Sequence, residues 1–379
     1  MKIIIFYASF GGGHLSASKS IKQYIDEHYK NAETLMIDAM KYVDKGFEKI
    51  STETYKIMVK NVPWIYGGLY KASAKGPIAD LNNLNNIVLS MKLKKLLKEE
   101  KPDLIINTHP FASQMTAFLK RTEKIDCKIA TIITDFHSHN QWLVNHKYID
   151  YLFVSNEKMK QAISETGIDS DKIYVTGIPL SNRFLLHFNR EEIKKSFNLD
   201  LNKRTILFFA GGEFGLGKTT TLDILKAFLN NLHDTYQLVA IAGRNEKLKQ
   251  AFTNIIEDLN VSDKAQVLGF SDQIPELMSI SDLVVTKPGG LTSTESLASG
   301  LPIIAINPIP GQEVENAEFL EESKVAIWIK KHDNFDEKIK EILSDEDKLY
   351  HMKVQTKLLA KKNSTANICK ILLKNSKNK

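Results

Sequence analysis

The sequence predicts an α/β protein made of two doubly wound domains that face a central cleft. Three observations carry this. Short β-branched runs alternate with helix-length amphipathic stretches along most of the chain. Several runs are apolar almost throughout, as strands of a parallel sheet covered on both faces must be. The alternation halts at a charged stretch, HFNREEIKKSFNLDLNKR (187–204), and then restarts.

In the first half the expected strands are KIIIFYAS (2–9), ETLMIDA (33–39), DLIINTH (103–109), KIATIITDF (128–136), DYLFVS (150–155) and KIYVTGIP (172–179). Between the first two, HLSASKSIKQYIDEHY sets Ala17, Ile21, Tyr24, Ile25 and His28 on one helical face. The second half repeats the rhythm with TILFFAGG (205–212), QLVAIAGR (237–244), AQVLGF (265–270), DLVVTKP (282–288), PIIAINP (302–308) and VAIWIK (325–330). Two β-α-β series of this kind imply a ligand between the carboxyl ends of their strands. Residues 40–100 break the rhythm with helical patterns and no convincing strand. Their cluster NVPWIYGGLYKASAKGP mixes Trp64, Tyr66 and Tyr70 with lysines. It reads either as a helical insertion packed on its own domain or as a surface for a lipid headgroup boundary.

The chain has 379 residues, 43% hydrophobic and 25% charged, which suits a folded protein of two domains. Two distant cysteines, Cys127 and Cys369, argue against a disulfide framework or a structural zinc site and fit a reducing cytoplasm. No apolar run is long enough for a membrane span, and KIIIFYASF reads as a buried strand and not as a signal peptide. The net charge is +6, and from Lys353 onward there are eight lysines and no acidic residue. That tail is either a solvated end or a basic surface for anionic lipid. Nucleic acid is disfavoured, since the tail has no aromatic residue for stacking.

Three glycine-rich turns fall between an expected strand and a helix: FGGGHLSAS (10–18), GGEFGLGKT (211–219) and KPGGLTSTES (287–296). Each would present backbone N–H groups at a helix N-terminus, where phosphate binds. The second also fits the P-loop pattern, but no following strand ends in an Asp that could hold magnesium. A P-loop ATPase is therefore the minor reading, and Lys218 has no catalytic task in the major one. The third turn is the most informative. Gly289 and Gly290 can approach a diphosphate, Glu295 follows in the helix to accept both hydroxyls of a ribose, and Gln312 and Glu313 suit sugar hydroxyls.

KPGGLTSTESLASGLPIIAINPIPGQEVEN resembles the donor-binding region of glycosyltransferase family 28. FGGGHLSAS, TDFHSHNQW and TGIPLSNRF resemble the N-terminal half of its glycolipid-forming branch, the monogalactosyldiacylglycerol synthases and processive diacylglycerol glucosyltransferases. The resemblance runs over residues 2–350. It implies the GT-B type of two Rossmann-like domains, a UDP-sugar donor, inversion at the anomeric carbon, no metal and no other cofactor. It implies transfer of a hexose to diacylglycerol or a glycosyl-diacylglycerol by a cytoplasmic enzyme peripheral on the inner face of the cell membrane. A polyprenyl-linked acceptor, or epimerisation of the UDP-sugar, is the alternative within the same architecture.

An inverting transfer needs a base for the acceptor hydroxyl. His14 of GGGH is the candidate, as the resemblance also implies, with Asp135 of TDF as its orienting group, an acceptor contact or the alternative base. Gly13, Gly211, Gly212, Arg244, Phe270 and Asn316 join Gly289, Gly290, Glu295, Gln312 and Glu313 on the donor side. Trp64, Tyr66, Tyr70 and His109 are assigned to acceptor or membrane, His109 having packing as its other reading. In one departure from the family, Leu180, Ser181, Asn182 and Arg183 follow the GIP turn where relatives often place an arginine directly. The expected division is 1–190 for acceptor, 191–355 for donor, and a basic helix or tail at 356–379 that folds back on the N-terminal domain or stays solvated.

Overall fold

The computed structural model describes residues 1–9, 12–43, 64, 67, 68, 72, 77–209 and 218–374. Gly211, Gly212, Tyr66, Tyr70 and most of the 61–77 cluster lie outside the described residues. Two compact units are present. One comprises Met1–Asn182, Pro310–Gln312 and Lys361–Lys379, the other Arg183–Ile309 and Glu313–Ala360.

The first unit holds six parallel strands: β1 (Lys2–Tyr7), β2 (Glu33–Asp38), β3 (Leu104–Asn107), β4 (Lys128–Ile132), β5 (Tyr151–Val154) and β6 (Ile173–Val175), in the order β2-β1-β3-β4-β5-β6. Side chains of β1 alternate between two cores. Ile4 and Phe6 pack with Leu93, Met115 and Leu119 of the helices Pro77–Glu100 and Pro110–Arg121. Ile3 and Ile5 pack with Ile21, Ile25, Ile368 and Leu372 of the helices Gly12–His28 and Ser364–Leu373. A strand apolar at every position is thus explained by helices on both faces.

The second unit repeats this with β7 (Arg204–Phe209), β8 (Tyr236–Ile241), β9 (Ala265–Leu268), β10 (Leu283–Thr286), β11 (Ile303–Ala305) and β12 (Ala326–Trp328), ordered β12-β11-β10-β7-β8-β9. Ile206, Phe208, Leu238, Ala240 and Val285 pack there with Phe228, Phe252 and Ile339 of three covering helices. The order of each sheet reverses at one point, between β1 and β3 in the first and between β7 and β10 in the second. Ligands of doubly wound sheets bind outside the carboxyl ends of the strands at that point.

Some expectations are corrected. β4 stops at Ile132, so Thr134 and Asp135 stand on the loop beyond the strand. β6 ends at Val175 because Gly177 turns the chain with φ +89°. Ala17, Ile21 and Ile25 are buried as the helical pattern implies, but His28 is exposed at the helix end, where its ring stacks on Tyr24. The tail is not a solvated end over residues 364–373. Ile368, Cys369 and Leu373 are buried in the first core, and Thr365 Oγ1 accepts from Leu180 N and donates to Leu180 O.

Gly177 is where this packing leaves no room. A Cβ there would stand 2.5 Å from Lys361 Cβ, on a backbone conformation that L side chains avoid. Gly177→Ala is expected to lower unfolding free energy by about 2–4 kcal/mol in urea titrations, from backbone and clash together. Adding Lys361→Gly should recover only the part due to the clash.

Candidate active site

In the first unit the site grows from the pairing of β1 with β3. Phe6 lies beside Asn107, and Thr108 N donates to Phe6 O at 3.0 Å, which sets Thr108 against the helix beginning at Gly12. Gly13 precedes His14 in the first turn of that helix. His14 Nδ1–H donates to the Thr108 carbonyl at 2.6 Å, and the Thr134 hydroxyl lies 3.1 Å from the same nitrogen. A carbonyl only accepts, so the proton sits on Nδ1 and the lone pair on Nε2. Thr108 is itself fixed: its Oγ1 donates to His14 O at 3.1 Å and stands 2.9 Å from Ser18 Oγ.

Burial lowers the His14 pKa to about 4 and outweighs the Thr108 carbonyl, which raises it. The imidazole is neutral at pH 7. His109 caps the helix Pro110–Arg121, its Nδ1 accepting from Phe111 N at 3.3 Å, and its ring lies edge-on to His14 with centroids 4.7 Å apart. Burial, then the neighbouring His14, hold its pKa well below the usual range. Trp142 is buried, with its ring centroid 6.3 Å from that of His14. Asp135, next to Thr134, is buried, and its backbone carbonyl accepts from Ser155 Oγ. Trp64 is 74% exposed.

In the second unit the turn after β10 leads into the helix Gly290–Ala298, with Gly289 as its N-cap. The cap has no side chain, so nothing of its own covers the first N–H groups of the helix. Glu295 lies in the second turn. Burial pushes its carboxyl up to about 8, and nothing among the described residues bonds to it. Glu313 stands beside the turn: its Oε1 would be 3.9 Å from a Cβ on Gly289, and its Oε2 accepts from Ile309 N at 2.7 Å. Burial raises the Glu313 pKa, opposed by Lys287, and burial lowers that of Lys287, opposed by Glu313. A half-buried acid and base, Glu313 and Lys287, thus stand at the glycine turn.

Gln312 opens the helix Gln312–Glu322, and Asn316 is fully buried in it. Arg244 and Phe270 follow the adjacent strands β8 and β9. The guanidinium lies 4.3 Å from the centroid of the Phe270 ring, which is 64% exposed and offers a flat face to solvent. The turn after β7 lies outside the described residues, and no described strand of this sheet ends in Asp. Among the described residues no group of three His, Cys, Asp or Glu side chains could hold a metal ion.

Sequence reasoning missed Thr108, Thr134, Trp142 and Lys287. The first two sit in the THPF and TDF strings, where attention falls on the titratable neighbours His109 and Asp135. A backbone carbonyl as the partner of His14 leaves no trace in residue type.

Two doubly wound units, each with a helix that begins at a glycine beside its switch point, give this chain the GT-B type of fold. Its solved neighbours have this fold. The structure of MurG from Acinetobacter baumannii matches with a TM-score of 0.69 at 15% identity, covering 98% of this chain and 99% of that one. The UDP-GlcNAc 2-epimerase from Neisseria meningitidis, bound to UDP-GlcNAc, matches with a TM-score of 0.64 at 14% identity, covering 99% and 100%. Residues 14–180 match the family model for monogalactosyldiacylglycerol (MGDG) synthase, and residues 189–358 that for glycosyl transferases group 1. The processive diacylglycerol beta-glucosyltransferase of Bacillus subtilis (strain 168) is 30% identical over 99% of this chain and 95% of its own length. That of Bacillus pumilus (strain SAFR-032) is 31% identical over the same shares. The chain belongs to the branch of glycosyltransferase family 28 that holds these enzymes.

Two half-buried groups, His14 and Glu295, act on stability in opposite directions. For His14 the folded pKa lies below the ordinary 6.5, so the unfolded chain takes up the proton first. Stability is then lost as pH falls from 6.5 towards 4. For Glu295 the folded pKa lies above the ordinary 4.5, so the folded chain keeps its proton and stability is lost as pH rises from 4.5 through 8. Urea midpoints measured across pH should show that His14→Asn removes part of the acid-side loss, with His109 retaining the rest. Glu295→Gln should flatten the alkaline side, and unchanged slopes in both variants would refute these assignments.

Proposed function

We propose that the enzyme transfers a hexose from a UDP-sugar to diacylglycerol or a glycosyl-diacylglycerol, with inversion and without a metal ion. The observation that carries this reading is the His14 imidazole held neutral, with Nε2 left as its basic nitrogen. Relatives matched over nearly the full chain support the lipid acceptor by their names.

In the proposed step the acceptor oxygen attacks the anomeric carbon as the bond from that carbon to the diphosphate breaks, and the acceptor proton passes to His14 Nε2. The Thr108 carbonyl steadies the imidazolium through Nδ1–H. With a pKa of about 4, His14 then releases the proton to water at neutral pH. Asp135 and His109 border the acceptor. On the donor side, the N–H groups at Gly289–Gly290, the helix dipole and the Lys287 ammonium meet the charge of the departing UDP. Glu295 accepts the ribose hydroxyls, Phe270 and Arg244 flank the base, and Gln312 and Glu313 meet the sugar. Gly13, Gly211 and Gly212 line the diphosphate, and Asn316 supports the helix of Gln312.

The unit that begins with Met1–Asn182 serves the acceptor and the unit of Arg183–Ile309 and Glu313–Ala360 the donor; the division falls at 182/183 and 360/361 in place of the expected 190/191 and 355/356, and the basic segment from Lys361 completes the first unit. No described helix is long and apolar enough to cross a membrane. The enzyme meets its lipid as a peripheral protein on the inner face of the cell membrane, with Trp64, Tyr66 and Tyr70 near the headgroups.

Labelled UDP-glucose, UDP-galactose and UDP-N-acetylglucosamine offered with diacylglycerol vesicles test the reading, and no lipid product from any donor would overturn it. Product from a polyprenyl phosphate alone would favour that acceptor instead. His14→Ala should cut turnover by about 10²–10⁴-fold with UDP binding retained. Glu295→Ala should instead weaken UDP binding, measured by calorimetry.

A further inference from the structure

The helix Pro110–Arg121 meets the sheet of the first unit through more than apolar contacts. Side chains alternate along β3, so Ile105 and Asn107 share the face that this helix covers. Ile105 packs there with Ala112, Met115 and Leu119. Asn107 stands in the same layer and is fully buried, as are Ser113, Thr116 and Thr131. Asn107 Nδ2 donates to Thr116 Oγ1 at 3.0 Å, and that hydroxyl donates in turn to Ala112 O at 2.9 Å. Thr131, the ladder partner of Asn107 on β4, has its hydroxyl 2.6 Å from that of Ser113. Asn107 Oδ1 accepts no hydrogen bond among the described residues.

A carboxamide in this layer costs more than the aliphatic side chain that would continue the core, since its polar atoms leave water for little return. What the carboxamide adds is direction. Apolar burial does not fix the angle or height of a helix on a sheet, whereas hydrogen bonds from two adjacent strands do. The strand ends pinned in this way carry both groups at His14 Nδ1. Thr108, whose carbonyl accepts from that nitrogen, follows Asn107 directly, and Thr134 stands three residues beyond Thr131. The Thr108 carbonyl belongs to the peptide joined to His109, the N-cap of the same helix. Gln114, one turn into that helix, donates from Nε2 to Gln141 O at 2.7 Å, beside Trp142.

We infer that Asn107 is a positioning residue for His14: its bond to Thr116 holds the end of β3 where the Thr108 carbonyl meets Nδ1–H. Asn107 touches no reacting group and acts through the main chain of its neighbour. This rests on the reading of His14 as the base, but the tautomer that Thr108 selects is a property of the ring in either case.

The test is nitrogen NMR of the full chain carrying isotope-labelled histidine, the His14 signals being assigned by their loss in His14→Asn. At neutral pH wild type should show one tautomer, protonated at Nδ1. Asn107→Ala and Thr116→Val should each show both tautomers. Their turnover of UDP-glucose on diacylglycerol vesicles should fall about tenfold, with KM for UDP-glucose unchanged. Thr116→Ser keeps the hydroxyl and loses a methyl group, so it should restore the single tautomer and the turnover, whereas a role in packing alone predicts the reverse order. Thr116→Val conserves volume and decides the matter should Asn107→Ala not fold. A single Nδ1–H tautomer in Asn107→Ala and Thr116→Val would overturn the inference, and so would a loss in Thr116→Ser equal to that in Thr116→Val. If His14→Ala leaves turnover intact, the base reading falls, and the tautomer alone then judges the role of Asn107.

Discussion

The hydrogen bond from His14 Nδ1 to the Thr108 carbonyl is the constraint on which the first half of the molecule turns. It fixes the tautomer, the ring plane and the nitrogen left for chemistry. Its acceptor is main chain, so it moves only if β3 moves, and β3 is held by its ladder to β1 and β4. Ser18 and the Thr108 hydroxyl then tie the first turns of the following helix to the same point. An imidazole held this way depends on sheet register more than on any partner side chain. The apolar alternation of β1 between two cores, which resists a one-residue slip, is therefore part of what holds the His14 ring in place.

The second unit solves a different electrostatic problem. Glu295 stands in the second turn of the helix that begins at Gly290, and Glu313 stands beside Gly289. Burial raises both pKa values, which reduces their charge when no ligand is present. Lys287 compensates Glu313, and Glu313 is further tied to the backbone at Ile309. Glu295 has no such compensation among the described residues. A carboxyl left in this state gains hydrogen bonds when a ligand brings hydroxyl groups to it, and under the proposed function a ribose diol would relieve a cost already present in the fold.

Much of this was legible in the sequence because it depends on pattern. Fully apolar runs such as KIIIFY and TILFF can only be strands covered twice, and all twelve expected strands are present. The glycine-rich strings marked where helices begin, at Gly12, Lys218 and Gly290. What the sequence could not carry were relations between main chain and side chain. Thr108 acts through its carbonyl, which every residue has. The end of β4 before Asp135 depends on where ladder partners run out. The C-terminal helix looked polar by its lysines, while Ile368, Cys369 and Leu373, spaced to face one side, decided its place.

That helix makes the first core discontinuous in time as well as in sequence. Ile3, Ile5, Ile106 and Phe153 present one face of the sheet to residues 364–373. During synthesis the six strands of the first unit leave the ribosome long before their cover does, and the whole second unit is made in between. For that interval this apolar sheet face is covered only in part, by the helix Gly12–His28, and partly open apolar surface is the condition under which chains recruit chaperones or aggregate. The second unit, whose strands and covering helices are contiguous from Arg204 to Leu359, has no such wait. The first sheet is thus closed by a stretch far in the chain from the residues it protects.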